Sequence, residues 1–342
     1  AYTRDTNRQA EQLHRFISSH TDRVDLVVHR LVHGGDRVTG PAIVDDRVES
    51  DIERLALQAP LHNPAVAALI RTCRDELGKK TVQVVVPDTG FYADLPEVAS
   101  NYALPGELCE QYQIRRYGFH GLAHQAMLQS WQESRPDLGN GGRVISLQLG
   151  AGCSVTAINR GIPVDTSMGF TPLEGLVMAT RCGDVDAGIL LYLQREAGYS
   201  IENLEHLLNH ESGLLGLSGK SADMRNLLGC EEPAAKLAVD MYCYRARKYV
   251  GAYLSVLGGA DVILFGGGVG QNSAFVRTQI LAGMEWLGIE LDHEKNAAID
   301  GNEGRISTLE SHTEIRVISV NESALMAREA AQVMAQLLKA NG

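Results

Sequence analysis

Three features of the sequence predict an α/β fold. Apolar segments of strand length alternate with amphipathic segments of helical length along its 342 residues. Two predicted strands end in glycine-rich turns, at residues 150–152 and 266–270. Charged or imidazole side chains follow other strands, and ligands of open α/β sheets bind at the carboxyl ends of strands. These side chains are Arg30, His33, Asp88, His120 and Glu322.

In the first part of the chain, the hydrophobic pattern predicts strands at 25–29 and 81–86, the second stopped by Pro87. Helices are predicted at 48–57, 64–77 and 121–132, and residues 87–92 are predicted to be a loop. An amphipathic helix is predicted at 6–19, with one apolar face formed by Leu13, Phe16 and Ile17.

In the remainder of the chain, the pattern of residues 143–166 predicts a β-hairpin, and strands are predicted at 262–265 and 315–320. One helix is predicted to begin near residue 272, and a final helix is predicted to span residues 322–339. A long helix at 234–257 is predicted to pack on the sheet through Leu237, Met241, Tyr244, Tyr249, Tyr253 and Leu257.

Composition and charge exclude several classes of function. The net charge of −11 argues against non-specific nucleic-acid binding. No apolar run reaches the roughly 18 residues of a membrane-spanning helix, and the polar N-terminus lacks the apolar centre of a signal peptide. The six cysteines are scattered without a C-x-x-C pair. This spacing argues against a disulfide framework and against a zinc site, and it fits a reducing cytoplasm.

The turn Gly150-Ala151-Gly152 lies between two apolar strands. Such a turn is expected to leave backbone amides bare for a phosphate group. The glycines at 266–270 follow a strand in the same way, and together the two turns suggest a nucleotide site. Taken singly, a tight hairpin and a strand-to-helix turn remain the simpler explanations.

Nine motifs, in order along almost the whole chain, resemble those of the acetate kinase family of acetate, propionate and butyrate kinases. They are His29-Arg-Leu-Val-His-Gly-Gly35, Ala59-Pro-Leu-His-Asn-Pro64, Asp88-Thr-Gly-Phe91, Tyr117-Gly-Phe-His-Gly121, Ser167-Met-Gly-Phe-Thr-Pro-Leu-Glu-Gly175, Thr180-Arg-Cys-Gly-Asp184, Ser218-Gly-Lys-Ser-Ala-Asp-Met-Arg225, Phe265-Gly-Gly-Gly-Val-Gly-Gln-Asn-Ser273 and Val320-Asn-Glu-Ser-Ala324.

The resemblance implies the actin-like ATPase (ribonuclease H-like) fold, shared with sugar kinases and Hsp70. This fold duplicates a βββαβαβα unit in two domains around a central cleft. The implied domains are 1–88 plus 323–342 and 89–322. The first domain is expected to be incomplete, because this chain lacks the Asn-x-Gly-Ser-Ser-Ser-x-Lys type of segment with the first phosphate hairpin.

The implied reaction is reversible phosphoryl transfer from ATP to a short-chain carboxylate, acetate first of all, giving an acyl phosphate and ADP. Such a transfer needs positioning and positive charge more than covalent chemistry. By resemblance, the catalytic residues are Arg30, Asp88, His120 and Arg181, and Glu322 is the carboxylate near Mg²⁺.

The resemblance also assigns substrate and nucleotide contacts. The acyl pocket would comprise Val32, Leu61, Phe119 and Pro172. The residues assigned to ATP or ADP are Gly150, Ala151, Gly152, Asp223, Arg225, Gly266, Gly267, Gly268 and Gly270. A cytoplasmic homodimer is implied, without nucleic-acid or membrane partners.

Some positions depart from the family pattern. Gln148 and Ala151 stand where a histidine and an asparagine are usual, and Gln271, Tyr92 and Pro87 also differ from the usual residues. These departures, with the missing first hairpin, leave two alternatives open. One is a non-catalytic nucleotide- or metabolite-binding relative or fragment. The other is a kinase with propionate or butyrate as acceptor, or with pyrophosphate as donor.

Overall fold

The computed structural model describes residues 15, 19, 23–59, 62–78, 80–299 and 301–340. The predicted helix at 6–19, with Leu13, Phe16 and Ile17, therefore lies outside the described residues apart from two isolated positions. The chain divides into two units. The first comprises residues 1–93, 119–122 and 321–342, and the second comprises residues 94–118 and 123–320.

The first unit contains a three-stranded sheet in the order β1-β3-β2. Strands β1 (Leu26–Leu31) and β3 (Val82–Pro87) are parallel, and β2 (Ala42–Ile43) runs antiparallel to β3. The helices are α1 (Asp46–Arg54), α2 (Asn63–Leu77) and the C-terminal helix, Glu322–Ala340, with 3₁₀ turns at Leu55–Leu57 and Asp88–Tyr92. The buried apolar core includes Leu31, Ile52, Ile70 and Val85.

The β1–β3 register positions the first group of site residues. Arg30 is paired with Val86, and β3 ends one residue later at Pro87. Asp88 follows immediately, so the carboxyl ends of the two parallel strands bring Arg30 and Asp88 together. Arg30 itself lies inside β1 rather than after it, and the predicted loop at 87–92 contains the 3₁₀ turn instead.

The second unit contains a six-stranded mixed sheet in the order β6-β5-β4-β7-β9-β8. These strands are β4 (Arg143–Leu149), β5 (Cys153–Asn159), β6 (Ile162–Thr166), β7 (Val262–Gly266), β8 (Gly304–Arg305) and β9 (Glu314–Val317). Strands β4, β7 and β9 are mutually parallel, whereas β5, β6 and β8 each run antiparallel to a neighbour. Apart from Ile162 and Val164 of the edge strand β6, their apolar residues are buried, so the sheet forms the centre of this unit.

Helices α3 to α12 follow α2 along the described chain. They are α3 (Glu97–Ser100), α4 (Gly106–Tyr112), α5 (Gly121–Ser134), α6 (Ala187–Glu196), α7 (Ile201–His206), α8 (Gly213–Ser218), α9 (Met224–Leu228), α10 (Pro233–Leu257), α11 (Gly267–Asn272) and α12 (Ala274–Leu281). They are followed by α13 (His293–Ala298) and by the C-terminal helix α14 (Glu322–Ala340). In the part of the chain described, no helix combines the length and hydropathy needed to cross a bilayer.

The buried face of α10 differs from the sequence prediction. Leu237 and Tyr244, predicted to pack on the sheet, are 53% and 60% exposed, and Met241 is exposed as well. The buried positions include the small residues Ala238 and Ala246 instead. The same buried side also carries the larger residues Val239, Tyr242 and Leu254, so the helix packs through a neighbouring apolar face and not through the predicted one. The prediction for these three positions was wrong.

Candidate functional site

Arg30 is held between two carboxylates in the first unit. Its Nε and Nη2 donate to Oδ2 of Asp88 at 3.1 and 2.7 Å, and its Nη1 lies 3.3 Å from Oε2 of Glu322. Asp88 is buried, and its Oδ1 accepts a hydrogen bond from the Leu122 amide at 3.3 Å. Charge-assisted bonds of this kind fix the plane of a guanidinium group.

Burial and pairing shift the pKa values of these three groups. Burial raises the pKa of Asp88 above its usual range, against the opposing effect of Arg30. Burial likewise raises the pKa of Glu322, and the neighbouring Asp88 adds to the increase. Burial acts to lower the pKa of Arg30, but the attraction of Asp88 and Glu322 outweighs it and the pKa is raised. The guanidinium therefore stays charged beside two carboxylates.

His120 lies in a strained backbone segment of the same unit. Its φ of 56° is left-handed, a conformation that costs energy for a residue with a side chain. The next residue, Gly121, packs against the backbone of Asp88, where an added Cβ would approach the carbonyl oxygen to 1.8 Å. Only glycine allows this contact, which fixes His120 beside the Asp88 segment.

Two of the predicted acyl-pocket residues are also in the first unit. Phe119 is buried and meets the His33 ring edge-on, with ring centroids 5.5 Å apart. Burial lowers the pKa of His33 to about 4, so this ring is neutral near pH 7. Val32 is half-buried. Leu61 lies outside the described residues.

Arg181 belongs to the second unit, where its Nη1 donates to the Pro172 carbonyl at 2.6 Å. Burial lowers the pKa of its guanidinium. No ion pair joins Arg181 to a carboxylate in the part of the chain described. A partly desolvated guanidinium without a carboxylate partner is suited to receive an anionic ligand.

The glycine-rich turn between β4 and β5 is partly self-bonded. The Gly150 amide donates to the Gly152 carbonyl at 3.0 Å, so the expectation of bare amides was wrong for Gly150. A three-residue connection between paired strands closes by such a bond across the turn. Ala151 is exposed at its tip, and its carbonyl accepts from the Ala179 amide at 3.0 Å.

The glycines after β7 differ in what requires them. At Gly266 an added Cβ would meet Met127 Sδ at 2.4 Å, and at Gly267 it would meet the Leu149 carbonyl oxygen at 2.6 Å. Close packing therefore accounts for these two. An added Cβ at Gly268 meets nothing within 4 Å, and at Gly270 it makes only ordinary contacts. Gly268 thus leaves open space at the first turn of α11.

Asp223 and Arg225 form a local structure at the start of α9. Asp223 caps this helix by accepting from the Arg225 amide at 2.9 Å, and its Oδ2 lies 2.6 Å from Nη2 of Arg225. Hydrogen bonding to Arg225 lowers the pKa of Asp223 to about 2. The Arg225 side chain is 89% exposed, so it remains accessible to a ligand.

The predicted site residues fall into two groups. Arg30, Asp88, His120 and Glu322 belong to the first unit, with Val32 and Phe119. Arg181, Pro172 and all the predicted nucleotide-binding residues belong to the second unit.

Sequence reasoning did not assign a function to Glu174 or Asp184, although both lie in motifs quoted for the resemblance. Glu174 binds Arg116 at 2.7 Å and accepts a hydrogen bond from Tyr102. Asp184 binds Arg245 and the Gly175 amide. Arg116, Tyr102 and Arg245 are distant in sequence from their partners, so only the fold reveals these contacts.

Mg²⁺ prefers oxygen ligands, and the first unit offers two carboxyl groups beside Arg30. No group of three or more potential protein ligands is found among the described residues. Two carboxylates surround one guanidinium at Arg30, which leaves a net negative charge. Mg²⁺ is commonly bound through one or two carboxylates together with substrate phosphates. The residues therefore fit an ion that is shared with a phosphate ligand.

Comparison with known proteins identifies the family of the chain. The model of the acetokinase family matches residues 1–328. The chain belongs to the acetokinase family. Among curated acetokinase relatives, the acetate kinase of Chloroherpeton thalassium is 46% identical over 311 residues, covering 90% of this chain and 75% of the relative. The acetate kinase of Dictyoglomus thermophilum is 44% identical over 325 residues, covering 93% and 80%.

Solved acetokinase structures share the fold. Porphyromonas gingivalis acetate kinase superimposes with a TM-score of 0.86 at 37% identity, covering 93% of this chain and 80% of that one. A propionate kinase from Francisella tularensis gives a TM-score of 0.89 at 35% identity, covering 94% and 83%. The predicted α/β, actin-like fold class is confirmed by these neighbours.

Proposed function

We propose that this protein is an acetate kinase, which transfers the γ-phosphoryl group of ATP reversibly to acetate and forms acetyl phosphate and ADP. The observation that carries this proposal is the 46% identity over 311 residues to a curated acetate kinase. The retained charged groups support it, because phosphoryl transfer depends on fixed positive charge around the moving group.

In the first unit, we assign Arg30 and His120 to the transferring phosphoryl group. Asp88 and Glu322 hold the Arg30 guanidinium through bonds of 2.7 and 3.3 Å, which orients its N–H groups before the substrate arrives. The left-handed backbone of His120 directs its imidazole from a rigid segment. An imidazole N–H donates to a phosphoryl oxygen as negative charge accumulates there.

Mg²⁺ entering with the nucleotide would be held by Glu322, with Asp88 as the second carboxylate. The excess of negative charge around Arg30 supports this assignment. When bound, the ion neutralises charge on the phosphate oxygens.

In the second unit, we assign Arg181 to the carboxylate of acetate. Its desolvation strengthens a bond to an anion, and the 2.6 Å bond to the Pro172 carbonyl restricts its orientation. The apolar surfaces of Val32, Phe119 and Pro172 are assigned to the methyl group, together with Leu61. Apolar contacts of this kind distinguish acyl groups by about 1–3 kcal/mol per methylene.

The nucleotide is assigned to the turn at 150–152, the glycines of α11 and the Asp223–Arg225 pair. The exposed Ala151 and the open space beside Gly268 let phosphate groups approach the backbone. Arg225 has an exposed guanidinium, which can stack on or bond to the adenosine. These contacts hold ADP as well as ATP.

A cytoplasmic homodimer completes the proposal. All six cysteines are free, which supports a reducing compartment. Leu237, Met241 and Tyr244 form an exposed apolar stripe on α10, at the i, i+4 and i+7 positions of one helix face. A second copy of the chain would bury this stripe.

A propionate kinase is the second candidate, because the structure of such an enzyme superimposes with a TM-score of 0.89. Acetate, propionate and butyrate compared at equal concentration distinguish the two by their kcat/KM values. The same assay with pyrophosphate in place of ATP tests the alternative donor. If calorimetry shows nucleotide binding but the assay shows no turnover, the protein is the non-catalytic relative instead.

The decisive experiment measures acetyl phosphate formed by the purified full-length protein from ATP, Mg²⁺ and acetate, trapped as the hydroxamate. We expect turnover by the wild type and a loss of about a hundredfold or more in kcat/KM for Arg30→Ala and for Arg181→Ala. Arg195→Ala, which changes an exposed arginine of α6, is the matched control. Full activity in either active-site variant would overturn the residue assignment.

A further inference from the structure

The loop from Gly175 to Asp184, which carries Arg181, is closed at its base by two reciprocal hydrogen bonds. The Gly175 amide donates to Oδ1 of Asp184 at 2.7 Å, and the Asp184 amide donates to the Gly175 carbonyl at 3.0 Å. Gly175 has a φ of 104°, and an added Cβ would approach the Ser167 carbonyl oxygen to 2.5 Å. The base of this loop is therefore a defined structure rather than a flexible hinge.

Helix α10 holds the base of the loop from outside. Arg245 Nη1 lies 3.2 Å from Oδ2 of Asp184, and it also donates to the carbonyls of Gly175 and Asp184 at 3.1 and 3.2 Å. The Tyr249 hydroxyl donates to the same Oδ2 at 2.9 Å. Arg245 and Tyr249 are four residues apart, so both point from one face of the helix. Burial and the adjacent Asp184 raise the pKa of Tyr249, which keeps its hydroxyl a donor.

The middle of the loop is bonded to residues 208–215. The Cys182 amide donates to the Leu208 carbonyl at 3.1 Å, and the Ser212 amide donates to the Thr180 carbonyl at 3.0 Å. The base is the part that Asp184 holds. Near the tip, the Ala179 amide donates to the Ala151 carbonyl at 3.0 Å, and the Met178 amide donates to the Arg181 carbonyl at 3.1 Å. The Arg181 guanidinium has the Pro172 carbonyl as a partner at 2.6 Å. No carboxylate in the described part of the chain pairs with it. Its direction therefore depends on the path of the loop.

We propose that Asp184, Arg245 and Tyr249 form a clamp that positions Arg181 for the carboxylate of the acceptor. This inference rests on the proposed function, in which Arg181 binds that carboxylate. The three are positioning residues, because they act through the loop and not on the substrate. Without the Asp184 charge, Arg245 and Tyr249 lose their shared acceptor, and the loop base can open while its tip stays bonded to Ala151.

The test compares Asp184→Asn and Tyr249→Phe with wild type by steady-state kinetics of the full-length protein. We expect KM for acetate to rise about tenfold in Asp184→Asn and severalfold in Tyr249→Phe, while KM for ATP changes less than about twofold. A merely structural role would change both KM values or neither. The matched controls are Asp240→Asn, on an exposed part of α10, and Tyr192→Phe, on exposed α6.

A double-mutant cycle with Arg181→Ala completes the test. If Asp184 acts through Arg181, Asp184→Asn has no further effect on kcat/KM for acetate in the Arg181→Ala background. An undiminished additional loss there would overturn the clamp and leave the proposed function intact. Absence of acyl phosphate formation by the wild type would overturn both. If Asp184→Asn does not fold, the same double-mutant cycle is measured with the milder Tyr249→Phe and Arg181→Ala.

Discussion

At the scale of single residues, His124 is a neutral imidazole built into the second unit. It is 0% exposed, and its two ring nitrogens lie 2.8 Å from the hydroxyl oxygens of Ser146 on β4 and Ser154 on β5. Burial lowers the pKa of His124 to about 3. A neutral ring can donate to one hydroxyl and accept from the other, so this arrangement needs no charge.

The pH dependence of stability follows from this shift. Because unfolded histidine has a pKa near 6.5, the unfolded state binds a proton that the folded state excludes between about pH 6.5 and pH 3. The contribution of His124 is fully present above pH 6.5 and is lost as the pH falls. We expect it to reduce the free energy of unfolding by about 2 kcal/mol between pH 7 and pH 5. Urea unfolding at several pH values measures this slope.

The matched variant is His124→Gln, which removes the titrating group but keeps a polar side chain. Its slope between pH 7 and pH 5 should be smaller than that of wild type, even if its overall stability is lower. His206→Gln, at an exposed histidine, should keep the wild-type slope. An unchanged slope in His124→Gln would show that other groups cause the acid sensitivity.

The residues around Arg30 show how far single positions could be predicted. Adjacent parallel strands could be expected to bring Arg30 and Asp88 to one edge of the sheet. The approach of Glu322 could not be derived from local pattern, because it depends on where the C-terminal helix packs. Without the family resemblance, an acid favoured by the dipole at a helix N-terminus is the simpler explanation of Glu322.

At the scale of elements, the short helix α11 depends on a buried arginine. Arg277 is 0% exposed and donates to the carbonyls of Gly270 and Gln271, each at 2.8 Å. It also donates to the side chain and the carbonyl of Asn296, at 2.7 and 2.9 Å. The planar guanidinium thereby donates to carbonyls at the end of α11, where the short helix provides no amide donor for them.

We predict that Arg277→Lys destabilises the protein by about 3 kcal/mol, because an ammonium group cannot reach all four acceptors and leaves buried carbonyls unsatisfied. The glycines of α11 are assigned to the nucleotide, so KM for ATP should rise more than KM for acetate. Thermal unfolding and steady-state kinetics measure the two effects. Arg195→Lys, at an exposed arginine, is the control, and equal behaviour of the two variants would contradict the prediction.

Strong local patterns made most strands predictable. The β4–β5–β6 segment and β7 consist of apolar runs between turn residues, which identify strands without tertiary information. Helix α10 was also correctly placed, but its buried face was not. It is apolar on several sides, so periodicity could not decide between the face of Leu237 and that of Ala238. The short helices α6 to α9 gave no comparable pattern and were not predicted.

At the scale of the whole molecule, we predict a dimer that depends on the exposed stripe of α10. Leu237→Glu combined with Tyr244→Glu places charge on residues that are 53% and 60% exposed in the single chain. Folding should be unaffected, whereas burial of two carboxylates in an interface is costly. We expect the mass measured by light scattering to fall from twice the mass of one chain to that of one chain.

The control for the dimer is Gln332→Glu, which adds a charge to an exposed position of α14. It should leave the mass of the wild-type particle unchanged. A wild-type protein with the mass of a single chain would contradict the homodimer directly. A dimer that survives both substitutions on α10 would place the interface on another surface.

The sequence by itself determined the family, the α/β class and the residues that carry charge, because these depend on local patterns and on motifs in a set order. Only the tertiary structure decided which partners those residues have. Arg30 lies between Asp88 and Glu322, and the loop of Arg181 is closed by Asp184, Arg245 and Tyr249. Such contacts join elements far apart in the chain, where packing and desolvation act and local periodicity carries no information.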